Sequence, residues 1–248
     1  MFQAKIKAEY LKELYDVVQH IVDEIKITIT PSGLQIRAVD PSHVALVDLN
    51  LKVEAFEEYK ADNTEVCIDV EKLNQVLKLS KGDDIVSITH DPQINRLILV
   101  IDKLTMKMSL LDMKGITDPK VPSLNYTTSV KVPVSSLLYG IKAADTVGEH
   151  ISIAATKNGL EITCEENTES VRVDIPASDL KEMKFGGEDV KSYFSLHYIS
   201  SMVRAIGSAS EATLYIETDY PLKIEFPIAE GKGSVTYLLA PRIENEND

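Results

Sequence analysis

LDMKGITDPKVPSLNYTTSV, residues 111–130, has neither helical nor strand periodicity. Gly115, Pro119 and Pro122 interrupt regular structure, the glycine by freeing φ and the prolines by fixing it. A solvated tether has little use for Ile116, Val121 and Leu124, so the stretch reads as a strap lying on a surface. It falls almost midway along the 248 residues and separates two segments that repeat each other.

The repeat can be counted. Gly33-Leu34-Gln35-Ile36 returns as Gly159-Leu160-Glu161-Ile162, an offset of 126, and Leu11, Ile27, Leu73 and Ile98 return as Leu137, Ile153, Ile199 and Ile224 at the same offset. A one-residue slip then sets Leu110 opposite Tyr237. Solenoid repeats have periods of roughly 20 to 50 residues, so a longer period indicates a duplicated domain. The expected division is 1–111, a connector at 112–128, and 129–248.

Within the first copy, Leu11, Leu14, Tyr15, Val18, Ile21, Val22 and Ile25 recur at spacings of three and four, which predicts an amphipathic helix. Alternating or β-branched runs follow at 27–30, 34–39, 44–51 and 66–70, then a short helix with Leu73, Val76 and Leu77 inward, then strands around 85–89, 96–101 and 105–111. Two helices and several short strands joined by tight turns give an α+β unit with antiparallel sheets and both helices on one face. The runs 105–111 and 170–175 are alternating and proline-free, so each would be an open edge that invites pairing. Head-to-tail pairing of unlike edges is one way to satisfy them.

Composition limits the function. With 26 basic and 39 acidic residues the net charge is −13, so affinity for nucleic acid must come from a local basic surface. Cys67 and Cys164 lie in alternating apolar sequence and read as two buried thiols in a reducing compartment. No leader is expected, and no apolar run approaches the ~20 residues that span a bilayer. Asp40 and His43 could form a catalytic or metal pair, but no nucleophile or third group completes it. Gly231-Lys232-Gly233-Ser234 lacks the earlier glycine of a phosphate loop, Phe226 standing there, and Lys184 to Glu188 reads as a turn. No catalytic residue, metal or cofactor is expected. The acidic end, Glu244 to Asp248, reads as a solvated tail.

DPSHVALVDL at 40–49, LLDM at 110–113, YPLKIEF at 220–226 and LAPRIE at 239–244 together resemble the proliferating cell nuclear antigen family of DNA sliding clamps. The similarity runs over nearly the whole chain, and the short loops resemble archaeal members. The resemblance implies a homotrimeric ring that encloses duplex DNA and acts as a processivity factor without an active site. It implies loading by a clamp loader and tethering of DNA polymerase, flap endonuclease and DNA ligase through PIP-box peptides. Location would be cytoplasmic, with the nucleoid, for an archaeal member and nuclear for a eukaryotic one. Lys12, Lys72, Lys78, Lys81, Lys142 and Arg204 would face DNA, with Lys12 on a helix whose polar face is otherwise acidic. The peptide groove would comprise Val39, His43, Val44, Leu46, Pro119, Val121, Pro122, Leu124, Pro221, Leu238, Ala240, Pro241 and Ile243. Lys114 and Lys120 should face water. Lys81, Thr105, Lys107, Ser109 and Leu111 would meet Asp145, Glu149, Val171, Val173 and Asp174 across the subunit boundary. One subunit of a heterotrimeric ring, such as a checkpoint clamp, and a small-molecule enzyme using Asp40 and His43 are the alternatives.

Overall fold

The computed structural model describes residues 1–242 except 115, 117 and 208. Ile243 and the acidic end that follows it therefore lie outside the described residues. The chain divides into two compact units, Met1–Val121 with Pro227–Val235, and Pro122–Phe226 with Thr236–Asp248.

In the first unit the order is β1 (Phe2–Lys7), α1 (Ala8–Val18), β2 (Glu24–Thr30), β3 (Gly33–Val39), β4 (Ala45–Lys52), β5 (Phe56–Ala61), β6 (Thr64–Asp69), α2 (Val70–Leu77), β7 (Ile85–Asp91), β8 (Arg96–Ile101) and β9 (Leu104–Ser109). Strands β5-β1-β7-β8-β9 form an antiparallel sheet, and β4-β3-β2-β6 run as neighbours in a second. Helices α1 and α2 pack on each other, α1 against β1 and β4 and α2 against β6. Alternation drives the register: Ile25, Ile27 and Ile29 of β2 are buried while Lys26, Thr28 and Thr30 are not.

The second unit repeats this order with β10 (Thr128–Pro133), α3 (Val134–Ala144), β11 (His150–Thr156), β12 (Gly159–Glu166), β13 (Glu169–Pro176), β14 (Glu182–Lys184), β15 (Val190–Ser195), α4 (Leu196–Ala205), β16 (Glu211–Ile216), β17 (Leu222–Ile228) and β18 (Gly233–Leu239). Its strand orders are β14-β10-β16-β17-β18 and β13-β12-β11-β15. Most elements begin 126 residues after their counterparts, β10 at 128 after β1 at 2 and α4 at 196 after α2 at 70. Gly33 and Gly159 open the equivalent strands at φ 139° and 142°, where a Cβ would lie 2.1 Å from the Leu51 carbonyl oxygen and 2.2 Å from that of Ile175. No other residue fits either turn.

Several expectations are corrected. Helix α1 ends at Val18, not near Ile25, because Ile21 is buried in the following turn and Ile25 already belongs to β2, which extends the helical spacing by coincidence. Tyr10 rather than Tyr15 fills the buried stripe; the Tyr15 hydroxyl accepts from Asn74 Nδ2 at 2.7 Å and donates to Glu71 at 3.3 Å. The strand expected at 105–111 stops at Ser109, and the Leu111 amide donates to the Cys67 carbonyl of β6. Strand β5 stands where hydrophobic alternation predicts no strand. The last strands depart from the repeat by more than one residue where they begin, β9 at 104 and β18 at 233, since 229–232 form a longer turn than 102–103.

Candidate functional site

Exposed cations gather on the helices of each unit. Lys72, Lys78 and Lys81 are exposed on or after α2, as are Lys142 on α3 and Arg204 on α4. Asp69 caps α2 by accepting from the Lys72 amide at 3.0 Å, and its carboxylate lies 3.5 Å from the Lys72 ammonium. Lys78 is 3.6 Å from Glu71, and Arg204 3.9 Å from Asp145. Hydrogen bonding from Asn74 is the largest influence holding the Glu71 carboxyl below its ordinary value. Lys142 and Lys81 have no side-chain ion pair among the described residues. Lys12 is half-buried and donates to the Ser80 carbonyl at 2.7 Å, so it braces the segment after α2.

The strap is anchored at each end. Asp118 accepts from Lys26 at 2.7 Å, and Lys26 also reaches Glu65 at 3.1 Å with its side chain only 9% exposed. The Asp118 hydrogen bond is the first cause of a raised Lys26 pKa. In the second unit Tyr126 donates to the Pro221 carbonyl at 2.8 Å and packs edge-on to Tyr220. Burial pushes the Tyr126 phenol up from its ordinary value. Between the anchors Val121 is 37% exposed, Pro122 and Lys120 are exposed, and Pro119 and Leu124 half-buried; Lys114, ahead of the first anchor, is also exposed.

The remaining residues named for a peptide groove are unequal. Val39 and Val44 are half-buried and His43 is exposed, but Leu46 is 8% exposed and belongs to the first unit's core. In the second unit Pro221, Ala240 and Pro241 are half-buried, whereas Leu238 is 7% exposed and likewise core. The β3–β4 connection spends residues 40–44 where its counterpart spends only 167–168, so His43 and Val44 sit on an extension that the second copy lacks. Asp40 builds that extension: Oδ1 accepts from the Val44 and Ala45 amides at 2.7 Å each, and Oδ2 from the Ser42 amide at 3.0 Å. Its carboxylate is thereby committed to backbone, and His43 takes a left-handed φ of 57°.

Both suspected edges are open within their units. Among the described residues strand β9 pairs only with β8 and β13 only with β12. Thr105, Lys107 and Ser109 are exposed, Val171 and Val173 half-buried, and Leu111 lies beyond β9. Asp145 follows α3, Glu149 precedes β11, and Lys81 follows α2, so none of the three lies on an edge strand. Arg172 lies on the same strand as Val171 and Val173. Its Nε donates to Asp174 Oδ1 at 3.0 Å and its guanidinium lies 2.9 Å from Glu161, so this edge is mixed in charge.

Among the described residues no group of three or more His, Cys, Asp and Glu could hold a metal. Both cysteines are buried, and burial raises their thiols. Ala229, Glu230 and Gly231 all have positive φ, and β18 rather than a helix follows them, unlike a phosphate loop. Gly187, at φ 102°, lies in the turn after β14. No helix of the described residues is long and apolar enough to cross a membrane.

A duplicated α+β chain with cationic helix faces, an anchored apolar strap and open strand edges has the features of a protein that works by contact. The family models for the proliferating cell nuclear antigen N-terminal and C-terminal domains match residues 1–117 and 120–242. A DNA polymerase sliding clamp of Methanocella arvoryzae is 35% identical over 247 residues, covering 99% of this chain and 100% of that one. One from Haloarcula marismortui is 33% identical with the same coverage. The solved structure of A. fulgidus PCNA bound to the C-terminal region of FEN-1 superposes with a TM-score of 0.92 at 27% identity, over 99% of this chain and 100% of that one. PCNA from Thermococcus kodakaraensis gives 0.91 at 27%, over 98% and 100%. The chain belongs to the proliferating cell nuclear antigen family of DNA sliding clamps.

Proposed function

We propose that three copies of this chain close into a ring around duplex DNA, β9 of one copy pairing with β13 of the next, and that the ring tethers replication and repair enzymes. The observation that carries this reading is the pair of open, unlike edges, which suits head-to-tail closure. On β9, Thr105, Lys107 and Ser109 would pair with Val171, Val173 and Asp174; Lys81, Leu111, Asp145 and Glu149 would border the joint. The cations of α2, α3 and α4 would touch phosphates without reading bases, which permits sliding. The protein acts by binding, with no active site and no cofactor.

Flap endonuclease is the partner best supported, because a related archaeal clamp carries the C-terminal region of one. DNA polymerase, DNA ligase and the clamp loader would use the same peptide mode. Val121 and Leu124 of the strap, with His43, Val44, Pro221 and Pro241, are the residues assigned to the peptide.

Native mass and peptide titration test both parts. A trimer is expected for the wild type, and a folded monomer for Val171→Asp combined with Val173→Asp. A wild-type protein that stays monomeric would overturn the homotrimer and favour a heterotrimeric ring. A PIP-box peptide should bind at roughly micromolar Kd, and Leu124→Asp or Val121→Asp should abolish binding while the trimer persists. Unchanged affinity in both variants would remove the strap from the site.

A further inference from the structure

Strand β2 buries Ile25, Ile27 and Ile29 in the core, so Lys26 leaves the sheet on the opposite face. Cys67 of β6 is its register partner and shares that face. Cys67 is nevertheless 1% exposed, and it breaks the alternation of β6, where Val66 and Ile68 are buried as well. The course of the strap accounts for this. Strand β6 has β2 on one side, and from the other side the Leu111 amide donates to the Cys67 carbonyl at 2.9 Å. At Asp118 the chain has come back to Lys26 on β2. A segment fastened on both sides of β6 crosses its outer face, and Cys67 lies on that face between the two fastenings.

The return is made by charge. The Lys26 ammonium lies 2.7 Å from Asp118 and 3.1 Å from Glu65, and its side chain is 9% exposed against 44% and 45% for the two carboxylates. Glu65 is fixed on β6, so the ammonium keeps one partner when the strap lifts. Asp118 is the strap's share of the seat. Without the ammonium, two carboxylates would be left facing each other, which costs more than the loss of one hydrogen bond. The repeat supplies a contrast. The Arg242 amide donates to the Tyr193 carbonyl just as Leu111 does to Cys67, but Ser152 stands in the place of Lys26 and Lys191 in that of Glu65, with the Lys191 ammonium 4.6 Å from the Tyr193 ring. The lysine and carboxylate seat belongs to the unit that carries the strap.

We propose that Lys26 is a positioning residue for the partner peptide: its ammonium latches Asp118, holds the strap across β6 and so sets where Val121, three residues further on, stands. The inference rests on the reading that Val121 meets the peptide.

The test follows strap and peptide separately, in the full chain carrying Cys164→Ala so that Cys67 is the one remaining thiol. Iodoacetamide should alkylate Cys67 slowly, and about tenfold faster in Asp118→Ala or Lys26→Met, because a hydrogen bond between charged groups is lost. The Kd of a PIP-box peptide should rise about three- to tenfold in each variant, at unchanged native mass. The double variant should do no worse than Lys26→Met alone, since both changes remove the same contact and the second also relieves Glu65 of a like charge. Should Lys26→Met fail to fold, Asp118→Ala, at a partly exposed carboxylate, carries both readouts. Unchanged alkylation in Asp118→Ala, or losses that add in the double variant, would overturn the latch. Faster alkylation with unchanged peptide affinity, while Val121→Asp still abolishes binding, would overturn the positioning role alone. Peptide binding indifferent to Val121→Asp as well would remove the strap from the peptide site, and the positioning role with it.

Discussion

Tyr59 shows how much a single hydroxyl can bind in this fold. It donates to the Thr30 and Gly33 carbonyls at 2.7 and 2.9 Å, and burial pushes its phenol up to about 12. Tyr215 is also raised to about 12, first by burial and then by its hydrogen bond to Glu225. In both, the folded state favours the neutral phenol. Their contribution is therefore complete below the ordinary tyrosine pKa of about 10 and is lost as pH rises from there through about 12. Urea unfolding should show stability falling across that window, with a shallower fall in Tyr59→Phe. A phenolate absorbance titration of the folded protein in which all ten tyrosines ionise near 10 would contradict this. Single residues were the least legible part of the sequence. The Asp40 turn was visible as Asp-Pro-Ser, yet its proximity to His43 also permitted a catalytic reading until three backbone amides were seen on its carboxylate. Arg172 leaves no such signal, because it alternates with Val171 and Val173 on the polar side of β13.

At the scale of elements, hydrophobic spacing located α1 and α2, and the turn glycines Gly33 and Gly159 fixed the repeat. It failed where periodicity was ambiguous or weak. Strand β5, FEEYKA, carries only Phe56 as a buried side chain, so alternation left little trace. The close seat of α3 was also invisible, although its signal, Gly140 inside a helix, was present. A Cβ at Gly140 would lie 2.6 Å from Ile162 Cδ1 and 3.5 Å from Ile162 Cβ. Gly140→Ala would gain about 1 kcal/mol in helix propensity but would crowd β12, where overpacking costs about 1–3 kcal/mol. The expected net is a loss of about 1 kcal/mol, seen as a calorimetric midpoint a few degrees lower. A raised midpoint would mean that Ile162 finds another rotamer freely.

For the whole molecule, the offset of 126 made the duplication and the α+β class readable, and the quoted segments led to the family. What the residues alone withheld was assembly. In the proposed trimer, charge pairing across the joint has little to contribute, because Asp174 is held by Arg172 and Asp145 lies beside Arg204. Exposed ion pairs are worth about 0–1 kcal/mol. The trimer dissociation constant should thus shift less than about tenfold between low and high salt, and a steeper dependence in sedimentation would restore an ionic joint. The anchored strap has one more effect. Asp118 ties one end of the strap to the first unit and Tyr126 ties the other end to the second, so the backbone beside each anchor is ordered as its own unit folds. Ordering a loose segment would cost roughly 1–2 kcal/mol per residue at the moment of binding. In the proposed function, a peptide arriving at Val121 and Leu124 would meet segments already tied to their own units, and short motifs could hold on with only a few side chains.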